Sequence, residues 1–70
     1  MTREEFEQLM DKKILTKDEA LEALASLHGD PEEAHGAADE ILTMFLRGIG
    51  HHDIADAFWA ASDKIGFWWA

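Results

Sequence analysis

The sequence predicts an all-α protein, a small bundle of about four short helices with a C-terminal aromatic tail. Three observations predict it. Strand formers are scarce, because the 70-residue chain has no Val, no Tyr and only three Thr, whereas Ala, Leu and Glu abound. Helix-start signals recur at Thr2, Thr16 and Asp30. Apolar residues return at three- and four-residue steps, the period of one helical face.

Each element has its own justification. Thr2 with Glu5 three positions on reads as a capping box, in which each side chain satisfies an amide of the first turn. It opens a first helix over about 3–13, with Phe6, Leu9, Met10 and the stem of Lys13 inward. Ile14-Leu15 is a short apolar link. Thr16 with Glu19 is a second capping box, opening a helix over about 17–28 with Leu21, Leu24 and Leu27 inward and Gly29 as its stop. Asp30 followed by Pro31 at the first helical position, with Glu33 at the third, opens a helix over about 31–47. Ala34, Ala38, Ile41, Leu42, Phe45 and Leu46 form its inner face, and Gly48 and Gly50 break it. A fourth helix starts near His52 or Asp53 and runs to about Ile65, with Ile54, Ala57, Phe58, Ala61 and Ile65 inward. Gly66 then releases Phe67-Trp68-Trp69-Ala70. Short links suit antiparallel neighbours. Gly36, among Ala34, Ala37 and Ala38, is expected to mark close approach of another helix.

Composition bounds the function. Seventy residues make one domain, 1–70, with 47% hydrophobic residues. A chain of this size buries only about 60% of its unfolded surface, so a thin core is expected. No cysteine means no disulfide and no thiolate metal site. The first residues are too acidic for a signal peptide, and no apolar run approaches the roughly 20 residues that span a bilayer. Fifteen acids against six bases give a net charge of −9, which repels nucleic acid and anionic membrane and favours a basic protein partner.

The acids are unevenly placed. From Asp18 to Leu46 there are eight acids and no Lys or Arg. Glu32, Glu33, Asp39 and Glu40 fall at seven-residue offsets and are expected to line one side of the third helix. Asp18, Glu19 and Glu22 add to them near the start of the second. Acids also suit helix N-termini, which accounts for part of this pattern. It does not account for the missing bases, since exposed helices ordinarily carry Glu–Lys pairs four apart. These seven residues are the candidate partner-binding set.

Other chemistry has less support. His35 and Asp39 are one helical turn apart, and His51-His52-Asp53 follows in the next turn, so a metal site is an alternative. No His-Glu-x-x-His is present, and a surface hydrogen bond explains His35 and Asp39 as well. The single Glu19-x-x-Glu22 is thin ground for a magnesium-dependent hydrolase. Ser26 and Ser62 lack a nucleophile signature, and there is no Gly-rich phosphate loop, so no enzyme, cofactor or metal is expected. Trp68 is expected to close the core, while Trp59 and Trp69 are either core or partner anchors.

The segment Asp30-Pro31-Glu32-Glu33-Ala34-His35-Gly36-Ala37-Ala38-Asp39-Glu40-Ile41-Leu42, then Phe45-Leu46, Gly50, Asp53-Ile54 and Trp68-Trp69-Ala70, resembles a group of small phage and prophage proteins. Those share an Asp-led helix with an Ala-His-x-x-Ala-Asp-x-x-Leu pattern, a Gly-containing turn, a second helix and an end in Lys-Trp-Tyr-Ala. The resemblance covers about residues 28–70 and departs from the pattern at Phe67 and Trp69. It implies phage origin and work in the cytoplasm of an infected bacterium. Small acidic phage proteins include anti-CRISPR proteins, which bind Cas proteins. The resemblance therefore implies an inhibitor that occupies a basic DNA-binding groove of a Cas protein, and the target expected here is the PAM-reading groove of a type I surveillance complex. The alternatives are the metal-binding or hydrolase module on His35 and Asp39, and a phage accessory protein that self-associates through its aromatic end.

Overall fold

The computed structural model describes residues 1–66; the aromatic tail, with Trp68 and Trp69, lies outside them. Four helices follow in order: α1 (Arg3–Asp11), α2 (Lys17–Ala25), α3 (Pro31–Gly48) and α4 (His52–Ile65). No strand occurs among the described residues.

Each start signal works as the side-chain chemistry requires. Both capping boxes form: Thr2 Oγ1 accepts from the Glu5 amide at 3.1 Å, and Thr16 Oγ1 from the Glu19 amide at 3.2 Å. The glutamates return the bond, Glu5 Oε1 accepting from the Thr2 amide at 2.9 Å and Glu19 Oε1 from the Thr16 amide at 3.0 Å. Asp30 Oδ1 accepts from the Glu32 amide at 2.9 Å and leaves Pro31, which has no amide hydrogen, at the first position of α3. At the other end of the chain Gly66 closes α4 in the left-handed region at φ 71°, with its amide donating to the Ser62 carbonyl.

Two helices stop earlier than the pattern predicts. α1 ends at Asp11 because Lys12 is extended, and this turns the chain toward Leu15. α2 ends at Ala25, three residues before His28. There the Ser26 hydroxyl donates to the Glu22 carbonyl at 2.8 Å and competes with the helical ladder.

α3 is the central element. α2 packs on one side of it and α4 on another, while α1 packs against α2. The core comprises Leu15, Ala20, Ala23, Ile41 and Met44, with Phe6, Leu9, Met10, Leu24, Leu27 and Phe45 half-buried around it. Leu15 holds this arrangement together. Its side chain is 1% exposed, and its amide donates to the Met44 carbonyl at 3.1 Å. Its own carbonyl lies against Gly48, where a Cβ would stand 2.4 Å from that oxygen.

The buried faces differ from the expected ones in a consistent way. α2 turns Ala20 and Ala23 inward and leaves Leu21 exposed. α4 buries Ala55 and Ser62, with Phe58 and Trp59 half-buried, and leaves Ile54, Ala57 and Ile65 exposed. On α3, Leu42 is exposed, while Thr43 and Met44 are buried. Small side chains sit at the crossings of α2 and α4 because they let backbones approach closely, and these two helices are rotated by about one residue, or 100°, to present them, whereas Phe6, Leu9 and Met10 of α1 and Ile41 and Phe45 of α3 face the core as expected. Gly36 is also not a contact point, since a Cβ there would meet nothing within 4 Å; the close approach falls at Gly48.

Candidate functional site

The seven candidate acids do not form one row. At about 100° per residue, Glu33 and Glu40 share one line along α3, and Glu32 and Asp39 share another about 100° round the helix. α4 packs between these lines. Arg47 pairs with Asp56 of α4 at 2.8 Å, and Thr43 Oγ1 accepts from the Trp59 indole N–H at 3.2 Å. Seven-residue offsets therefore hold within each pair but do not unite the two pairs.

Their surroundings also differ. Asp39 is half-buried, and Oδ2 lies 3.7 Å from His35 Nε2. Glu19 is paired with Lys12, which the turn after α1 brings across. That hydrogen bond, and after it the Thr16 backbone amide, hold the Glu19 carboxyl below the ordinary glutamate range. Glu5 is likewise lowered, first by the Thr2 amide and then by the Thr2 hydroxyl. Glu40 lines an open groove of about 450 Å³ with Lys12, Lys13 and Arg47. Three of the six Lys and Arg of the chain thus gather around Glu40.

Five of the seven candidates, Asp18, Glu22, Glu32, Glu33 and Glu40, have no ion pair within 4.0 Å among the described residues. Glu32 and Glu33 stand exposed in the first turn of α3, where the helix dipole favours negative charge. Glu33 also borders a second open groove, of about 500 Å³, formed with Phe6 of α1 and Leu27 before the turn at Gly29.

The histidines do not converge. His35 is in the second turn of α3, whereas His51 follows its end, and sixteen helical positions separate groups by about 24 Å. No group of three or more His, Asp or Glu side chains that could hold a metal ion occurs among the described residues. Trp59 packs edge-on to Phe58, with ring centroids 5.1 Å apart, and is half-buried against α3 through Thr43. Thr43 was legible as a helix residue only. Its role as acceptor for Trp59 has no sequence signal, because the two are sixteen residues apart.

The geometry defines a class: a small all-α protein with an uneven, strongly acidic surface and open grooves. Among the described residues, no helix is long and apolar enough to cross a membrane. Compared with known protein families, curated proteins and solved structures, the chain matches none of them.

Proposed function

We propose that this chain is an inhibitory binding protein, of the anti-CRISPR kind made by phages, which acts by occupancy rather than catalysis. Its target is a basic groove that a type I Cas surveillance complex uses to read DNA. The observation that carries this reading is the exposed, unpaired Glu32–Glu33 pair at the start of α3, in a chain of net charge −9. A groove built for phosphates presents Lys and Arg at close spacing, and carboxylates on a rigid helix end can take the phosphates' place. The resemblance of residues 28–70 to small phage proteins supplies the target class. Charge alone supplies only the sign of the partner.

A mobility-shift assay with an assembled type I complex and its target DNA tests the proposal. The expected result is loss of the DNA shift on adding the protein. Its restoration is expected with Glu32→Lys/Glu33→Lys, or on raising salt, which screens charge beyond roughly 8 Å at physiological ionic strength. A shift that the protein leaves unchanged in a panel of type I complexes refutes the proposal.

A further inference from the structure

The described molecule is a slab of 34 × 30 × 16 Å. Its two broad faces differ in chemistry. The Arg47–Asp56 and Lys12–Glu19 pairs and the groove containing Glu40 mark one face, which α1 partly covers. The helical phase set by these contacts gives the composition of the other. On α2, Glu19 and Leu24 flank the buried Ala20–Ala23 stripe on opposite sides, so the exposed Leu21 lies on the side of α2 away from Glu19 and Lys12. On α3, Leu42 and Leu46 lie opposite Glu40, and Ile49 follows them. On α4, Ile54, Phe58, Ala61 and Ile65 lie opposite Asp56. Leu21, Leu42, Ile49, Ile54 and Ile65 are each more than half exposed. The acids nearest this face are Asp39, half-buried beside His35, and Glu32, which shares its line on α3, while Lys17 lies one turn before Leu21.

We propose that this α2–α3–α4 face joins two copies of the chain in an isologous dimer. Three arguments select a second copy as the occupant. The first is area: a face of 34 × 30 Å offers on the order of 1,000 Å², against the roughly 800 Å² per partner of a standard stable interface. The second is the poverty of the core. Leu15 and Ile41 are the only large side chains fully buried among the described residues, and small chains commonly supply the deficit by oligomerising. The third is charge. Face-to-face pairing about a two-fold axis keeps the Glu33–Glu40 row of α3 and the Asp56 side of α4 outward, so two chains of net charge −9 meet where apolar side chains outnumber charged ones. The inference does not rest on the identity of the acidic surface's target. It also differs from association through the aromatic end, because the contact is on the helices.

Sedimentation equilibrium of the full chain at micromolar concentration reads the result directly. The expected mass is twice 7.9 kDa. Leu42→Glu with Ile54→Glu is expected to weaken pairing by at least about 100-fold, since two apolar contacts at the interface centre become charged. Both side chains are exposed in the single chain, so helical circular dichroism is retained; Leu42→Gln with Ile54→Gln gives a milder second test of the same face. Asp63→Asn, on the Asp56 side of α4, leaves the mass unchanged. A wild-type chain that stays monomeric at hundreds of micromolar overturns the proposal. So does a dimer that survives both face variants. Loss of pairing when Phe67, Trp68 and Trp69 are all replaced by Ser, with the face intact, assigns the contact to the tail and also overturns it.

Discussion

Gly48→Ala and Gly36→Ala are the same chemical change on the same helix, and their surroundings give them opposite signs. A methyl at Gly36 meets nothing within 4 Å, so only the helix preference of Ala over Gly acts, which stabilises by about 0.5–1 kcal/mol. A methyl at Gly48 stands 2.4 Å from the Leu15 carbonyl oxygen and 3.3 Å from its carbon. Ordinary carbon–oxygen contacts begin at about 3.3 Å, so something must move by about 1 Å. The obstacle is backbone, which cannot swing aside as a side-chain tip can. Leu15 is held by its amide bond to Met44 and by a side chain that is 1% exposed. Overpacking of this kind costs about 1–3 kcal/mol, and weakening the Leu15–Met44 bond adds about 0.5–1.5 kcal/mol. The helix preference offsets less than about 1 kcal/mol, because Gly48 is the last residue of α3. The net expectation is a loss of about 2 kcal/mol. At about 4–8 °C per kcal/mol for a domain of this size, Tm falls by roughly 8–16 °C, whereas Gly36→Ala raises it by a few degrees. Thermal melts followed by circular dichroism, at one chain concentration for all variants, measure both. A Gly48→Ala protein as stable as wild type, or a Gly36→Ala protein less stable, would refute the assignment of the close approach to Leu15.

Other expectations follow from named contacts. Leu15→Ala removes one of the two largest fully buried side chains and should cost about 2–5 kcal/mol in urea denaturation, enough to leave much of the chain unfolded. Thr43→Val keeps the shape but strands the Trp59 indole N–H, and a loss of about 1–3 kcal/mol is expected; a neutral result would mean that water takes over the bond. Glu5 and Glu19 titrate below the ordinary glutamate range in the folded chain. Their contribution is therefore present above the unfolded-state value and lost as pH falls through the lower folded-state value. Melting temperature should drop across that acid window, and Lys12→Met should shrink the part due to Glu19, whose leading cause is the bond to Lys12. An acid-side profile unchanged by Lys12→Met would show that the pair is not maintained in solution.

The local part of the fold was legible because its causes are local. Thr2, Thr16 and Asp30 announce three helix starts within four residues of the amides they satisfy. Gly66 ends α4 for an equally local reason. The inward faces were less legible. Leu21, Ile54 and Ile65 outrank Ala20, Ala55 and Ser62 in hydrophobicity, but the small residues permit the closer helix approach and are the ones buried. Leu15 reads as part of a link, and only the crossing of that link over the end of α3 makes it the core's anchor.

The candidate site divides along the same line. The excess of acid and the stretch from Asp18 to Leu46 without Lys or Arg are properties of the sequence, and so is the exposure of a charged first turn at Glu32 and Glu33. The sequence by itself determined the helices, their starts and the sign of the surface, because capping, periodicity and charge act over a few residues. Only the tertiary structure decided that Lys12 neutralises Glu19, that α4 separates the two acidic rows of α3, and that the larger apolar side chains gather on an open face. Those outcomes depend on which helix surfaces fit together, and that fit is set by backbone approach between residues distant in the chain.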